Sequence, residues 1–368
     1  ILKINATIVI CAVLFVFYYE FFHFIIFFII ILIMPLYFTE RSHKMKVSQL
    51  LNEWLLSIQP TVKESTYAKY SFLVQKHINS ELGDILLSNL TTEDISCFTA
   101  GKLNGGNLSD GSALSPKTVA DLLSILKLAL TFAAERNYPC PNHIIIKKPR
   151  QTLPQIQVLS VEEQEKLEQY IFTHFEPAGI GIILSLYTGL RIGEVCALKW
   201  GDFNFENNIL YIRRTIMRIQ DKTHGAAHKT KILIDRPKTE CSVRSIPLPA
   251  FLVNFLTPYQ RKDSYYILTD SEAWLEPRGY YRKYKRILSK CNLSEYNYHA
   301  LRHTFATRCM EQEFDLKSLS EILGHANVST TLQRYVHPSM NVKRRQMERL
   351  ENLAVCGRIC GQKKLTNV

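Results

Sequence analysis

Four side chains late in the chain suit work on a phosphodiester. They are His299, Arg302, His325 and Tyr335, all within HALRHTFATRCMEQEFDLKSLSEILGHANVSTTLQRY at 299–335. Arginine and histidine can hold phosphate oxygens, and a tyrosine hydroxyl can attack phosphorus. His299 and Arg302 are three apart, so on a helix they share a face. Alone, such a pair is more often an ordinary surface couple. Tyr335 is one of 18 tyrosines, and most tyrosines are half-buried packing residues. Two upstream blocks change the weighting: TGLRIGEVCALKW at 188–200 and PKTECSVRSIPL at 237–248.

The elements that must position these residues follow from local pattern. Ala300 to Met310 has helical apolar spacing in Leu301, Phe305, Ala306 and Cys309. Leu316 to Leu323 reads as a second short helix stopped by Gly324. His325 then falls in a turn, and Ser329 is expected to cap a third helix carrying Tyr335. Upstream, Ser160 and Glu163 form a capping box, and helices are predicted over 161–173 and 177–188. Gly189 breaks the second, which sets Arg191 at the start of IGEVCALKW, with Glu194 as a local ion-pair partner. The runs at 209–219, 231–234 and 243–248 read as strands of one small antiparallel sheet. Residues 221–230 form a polar hairpin extension between them, and 278–291 a basic helix.

In this order, the blocks resemble the tyrosine recombinases of the phage-integrase family, over roughly residues 47–350. The resemblance implies a catalytic set of Arg191 in TGLRIGE, Lys238 in PKT, His299 and Arg302 in HALRH, His325 in LGH and Tyr335 in QRYVH. Lys229 and Lys231 compete with Lys238, which alone has the family's spacing to the RSIPL strand. The implied reaction is DNA strand exchange through a 3′-phosphotyrosine. Arg191, Arg302 and His325 would meet the negative charge of the pentacoordinate phosphorus. His299 would position phosphate or take the tyrosine proton, Lys238 would protonate the leaving 5′ oxygen, and Tyr335 would be the nucleophile. No cofactor is expected, since no acidic cluster suits Mg²⁺ and no Walker loop is present. One tyrosine cuts one strand, so recombination of two duplexes implies a homotetramer on paired double-stranded DNA sites, with accessory DNA-bending or directionality factors as further partners. The integrase of a mobile element is the leading reading. A chromosome or plasmid dimer resolvase, a decayed DNA-binding-only relative and a membrane-anchored DNA-binding protein are the rivals.

The expected fold class is mainly α with a small antiparallel β-sheet: a helical SAM-like core-binding domain, then an α+β catalytic domain. The expected divisions are an apolar segment 1–44, a core-binding domain 45–146, a linker 147–158, a catalytic domain 159–350 and a tail 351–368. In the core-binding domain, helices are expected at 47–58, from Thr61 to Ile78, at 91–102, and from Ser115-Pro116 to about Asn137. Lys63, Lys69, Lys76, Lys102 and Lys117 are its candidate DNA-backbone cations. Net charge of +12 over 368 residues fits a polyanionic partner, though it would equally suit an anionic membrane. The nine cysteines are scattered without C-x-x-C pairs, as in a reducing cytoplasm. Residues 6–38 are apolar enough to span a bilayer. The favoured expectation is a mis-set start, with the working protein beginning near Met45; a membrane anchor is the alternative. After Tyr335, Met347, Leu350 and Leu353 mark an amphipathic helix expected to dock on a neighbouring protomer.

Overall fold

Val47, Leu50, Leu51, Trp54 and Leu55 fall on one face of a helix, and burying that face begins the fold. In the computed structural model the described residues are 44–141, 143–151, 156–221, 229–235, 243–325 and 327–335, with Arg344, Met347 and Glu348 beyond them. The apolar run 6–38 and the segment carrying Leu350 and Leu353 lie outside them. Among the described residues no helix is long and apolar enough to cross a membrane. The chain packs as two units: the described residues up to 153 with those of 219–229, and those of 154–218 with those from 230 on.

The first unit is helical. Its helices are α1 (Val47–Ile58), α2 (Glu64–Leu73), α3 (Thr92–Asn104) and α4 (Pro116–Glu135). α4 has Pro116 at its first position, and the Ser115 hydroxyl accepts from Thr118 N–H. It buries Val119, Leu122, Leu123, Leu126 and Ala129 against α1 and α3. Thr91 caps α3 in a reciprocal box with Asp94. α2 begins at Glu64 rather than at Thr61. Thr61 instead donates its hydroxyl to Ile58 O (2.9 Å), finishing α1. The backbone then widens into one π-turn, Val74–Ile78, which buries His77.

The second unit mixes helices and short strands. Helices α5 (Val161–Thr173) and α6 (Pro177–Thr188) lead to the short α7 (Ile192–Ala197). Strands β1 (Phe203–Asn204), β2 (Ile209–Ile212), β3 (Thr215–Gln220, its last two residues counted with the first unit), β4 (Thr230–Asp235) and β5 (Arg244–Pro247) follow. Then come α8 (Ala250–Leu256), α9 (Pro277–Lys290), α10 (His299–Glu311), α11 (Leu316–Leu323) and α12 (Val328–Tyr335). The Ser160–Glu163 capping box opens α5 as its spacing requires.

The strands correct one expectation. They form two sheets, not one: β1-β2-β5 and β3-β4. β2 pairs antiparallel with β5, setting Leu210 against Ile246 and Ile212 against Arg244. The run 209–219 breaks at Arg213-Arg214, where buried Asp202 draws the guanidinium of Arg214 to 2.5 Å. Two charges turned toward one buried carboxylate cannot continue the alternation of a strand. In the hairpin extension, Asp221 N–H donates to Lys229 O (3.0 Å), and 222–228 lie outside the described residues. A second correction concerns α12. Asn327, not Ser329, caps it, its side-chain oxygen accepting from Ser329 N–H at 2.8 Å.

α10 packs along α6, and a buried tyrosine group fixes its start. Tyr298, the residue before α10, donates its hydroxyl to Gly181 O (3.0 Å) and lies 2.8 Å from Ser185 Oγ and 3.2 Å from Tyr280 Oη. A hydroxyl buried among apolar side chains holds only one geometry when its partners are fixed. The first turn of α10 is set by that geometry.

Candidate active site

Two glycine-terminated helices build the site. α6 ends at Gly189 and α11 at Gly324, both with φ of +65°. Each leaves its final carbonyls aimed out of the helix end, where a cation is favoured. A Cβ on Gly189 would lie 2.6 Å from Leu323 Cδ2 and 2.7 Å from Phe305 Cδ1, so α6, α10 and α11 meet there in close packing.

The arginines cross between these helix ends. Arg302, on α10 and 1% exposed, donates Nη1 to Gly189 O at 2.7 Å and Nη2 to Leu323 O at 2.8 Å. Arg191, one residue before α7, donates Nη2 to Gly324 O at 3.2 Å. The glycine of the TGLR block therefore orients the arginine of the HALRH block, and the glycine of the LGH block orients the arginine of TGLR. A third arginine joins them: Arg244, the first residue of β5, donates Nε to Ile322 O at 2.6 Å. Three successive carbonyls, Ile322, Leu323 and Gly324, each take a guanidinium.

Glu194 sits behind this row, 2% exposed. Its carboxylate accepts Arg191 Nη1 at 2.7 Å and Arg191 N–H at 3.0 Å. It also accepts Arg244 Nη1 at 3.2 Å and Nη2 at 3.0 Å. Burial alone would raise this carboxyl, but Arg244 and then Arg191 outweigh it and hold it down at about 2. Two guanidiniums thus share one carboxylate while Arg302 is held by carbonyls beside them, which leaves an excess of positive charge for an anion.

His325 lies between Arg302 and Thr331. Its Nε2 is 2.7 Å from Arg302 Nη2, and its Nδ1 is 2.8 Å from Thr331 Oγ1. A guanidinium only donates, so in this arrangement Nε2 accepts and Nδ1 carries the proton to the threonine hydroxyl. Thr331 is fully buried. His299 is exposed at the first position of α10, its ring edge-to-face with His303 at 4.6 Å. Its separation of three from Arg302 puts both on one helix face.

Arg191, Arg302 and His325 are therefore gathered at the C-terminal end of α11, with His299 one turn from Arg302. Lys238 lies outside the described residues. Tyr335 closes α12, and only its backbone is described. Among the described residues no group of three His, Cys, Asp or Glu side chains comes together as a metal would require.

Sequence reading missed Arg244 and Thr331. Arg244 had a legible signal. It shares a strand face with buried Ile246, so a charge stands at an inward position and needs a buried partner. Thr331 had no such signal, because a threonine in a short helix is ordinary.

The DNA-backbone candidates in the first unit separate. Lys63, Lys76 and Lys117 are exposed. Lys69 is exposed and paired with Asp121 at 2.8 Å. Lys102 is a correction: it is 4% exposed, bonded to Glu81 and set over the Phe98 ring. Its last-turn position on α3 turns inward, so its charge is neutralised within the unit and does not face a phosphate.

Comparison with known proteins matches the phage integrase family over residues 157–342. The phage integrase N-terminal SAM-like domain matches over 46–102. A tyrosine recombinase XerC-like protein of Caldanaerobacter subterraneus subsp. tengcongensis is 27% identical, over 84% of this chain and 83% of that one. The ICEBs1 integrase of Bacillus subtilis (strain 168) is 21% identical over 85% and 84%. Among solved structures, the Tn1549 transposon integrase in complex with transposon right-end DNA superposes with a TM-score of 0.68. It is 24% identical and covers 83% of this chain and 99% of that one.

Proposed function

The chain belongs to the phage integrase family, and on that premise we propose how it cuts and rejoins DNA. It is a tyrosine-type site-specific recombinase, and its likeness to the ICEBs1 integrase, the transposase from transposon Tn916 and the Tn1549 transposon integrase favours the integrase of a mobile element. Its partner is double-stranded DNA, and its working form is a tetramer on two paired sites.

The observation that carries the mechanism is the row of carbonyls at the end of α11. It supports a reading in which Arg191 and Arg302, from distant segments, bind the non-bridging oxygens of one phosphodiester. Both forks are oriented before substrate arrives, so little reorganisation is needed as charge builds on those oxygens. His325 adds a contact from the same recess. The Tyr335 oxygen attacks phosphorus and a new oxygen–phosphorus bond forms to the 3′ side. The bond to the 5′ oxygen breaks. His299 takes the phenol proton, and Lys238 gives one to the departing 5′ oxygen. The ester energy stays in the phosphotyrosine, and a 5′-hydroxyl from another strand reverses the step without a nucleotide. Lys63, Lys76 and Lys117 hold the backbone of the flanking duplex.

Covalent trapping tests this. The full chain is incubated with a nicked duplex made from the joined ends of the element that encodes it, and the products are run on a denaturing gel. The wild-type chain should give a slow protein–DNA band, and Tyr335→Phe should bind the same DNA without one. A band from Tyr335→Phe, or specific binding by both chains with no band from either, would overturn the reading.

A further inference from the structure

Arg244 lies beside the proposed site without belonging to the phosphate clamp. Its side chain is 6% exposed and that of Glu194 is 3%, so both charges are out of water. A buried carboxylate needs full compensation. Here four N–H groups provide it, two from Arg191 and two from Arg244.

That sharing has a consequence for Arg191. If Arg244 were neutral, the Glu194 charge would fall on Arg191 alone. Arg191 would then be a closed, neutral ion pair, and a phosphate would gain little from it. Arg244 also reaches the other half of the clamp. Its Nε bonds Ile322 O, one residue before the carbonyl that holds Arg302 and two before the one that holds Arg191.

We propose that Arg244 is the positioning residue of this site: it takes up the Glu194 charge so that Arg191 stays electrostatically open, and it ties β5 to the end of α11 that aims both clamp arginines. The proposal rests on the recombinase reading above. The role assigned to Arg244 runs through Glu194 and Ile322 and not through the phosphate itself.

The experiment is a mutant cycle on the full chain, using the same nicked duplex. Covalent product is followed in a single turnover at saturating DNA, with DNA affinity and thermal melting measured alongside. Arg244→Gln should slow cleavage about 100-fold, the scale of one lost transition-state donor, with affinity changed by less than about threefold. In a Glu194→Gln background there is no carboxylate charge left to balance, so the same substitution should cost less than about threefold. Arg244→Lys keeps the charge and should stay within about tenfold of wild type. A purely structural arginine would cost the same in both backgrounds, and that result overturns the proposal. So does cleavage by Arg244→Gln within threefold of wild type. If Arg244→Gln does not fold, the comparison inside the Glu194→Gln background decides, and a loss above tenfold there overturns it. Absence of any Tyr335-dependent product from the wild-type chain is a different failure: it removes the recombinase reading itself.

Discussion

At the scale of single residues, the site depends on donors that are each held from behind. Arg302 is bound by two carbonyls and by His325 before any substrate is present. A lysine there would keep the charge but lose the planar fork. Arg302→Lys should therefore lower single-turnover cleavage by about 100-fold or more while DNA affinity holds, measured as covalent product against fraction bound. Thr331 makes a finer case. Arg302, which only donates, leaves the proton of His325 on Nδ1, and the Thr331 hydroxyl accepts it and holds the ring. Thr331→Val keeps the shape and removes the acceptor. Cleavage should fall about tenfold, less than the roughly 100-fold of a transition-state donor removed outright, because His325 is loosened but still present, and Thr331→Ser should recover most of it. Equal rates for the valine and serine variants would sink the tautomer argument.

At the scale of elements, helix ends do the positioning. Gly189 combines a left-handed backbone with contacts that leave no room for a methyl group. Gly189→Ala should cost about 1–2 kcal/mol for the backbone and about 1–3 kcal/mol for overpacking against Leu323 and Phe305. Calorimetric melting would register it, and a variant as stable as wild type would show that α6 can end in another way. The lysines of the first unit divide by the same logic. Lys102 belongs to the packing of α3, and Lys76 and Lys117 are exposed. Lys76→Ala and Lys117→Ala should each reduce the salt slope of DNA binding by about one, uniformly across sequences. Lys102→Ala should leave that slope alone and lower the melting temperature. The reverse pattern would return Lys102 to the DNA-facing set.

At the scale of the molecule, one buried carboxylate links the site to folding stability. Glu194 is held at about 2 against an ordinary 4.5. A carboxyl lowered in the folded chain contributes stability above its unfolded value and loses it as pH falls toward the folded one. The difference is on the order of 3 kcal/mol. Denaturant unfolding should therefore show no Glu194 contribution to pH dependence between 5 and 8, and a loss as pH drops from about 4.5 toward 2. Glu194→Gln should flatten that acid limb; an unchanged limb would assign it to other carboxylates. The net charge of +12 acts across the whole surface and favours a polyanion at any pH in that range.

Much of this was legible in the order of residues. Helix starts were written locally: Ser160 with Glu163, Ser115 with Pro116, and Thr91 with Asp94 each satisfy their own first-turn N–H groups within a few residues. Helix stops at Gly189 and Gly324 were equally local, and so was the family membership carried by TGLRIGE, HALRH and LGH. What chain order could not contain was anything that depends on two distant segments arriving at one point. The split of the strands at Arg213-Arg214 needed buried Asp202, and the inward turn of Lys102 needed Glu81 from another part of its unit. Above all, Arg191, Arg244 and Arg302 lie in three separate stretches, yet three adjacent carbonyls of one helix end receive them. Local hydrogen bonds and side-chain periodicity settle where a helix begins and ends; only tertiary packing decides which orphan carbonyl meets which guanidinium.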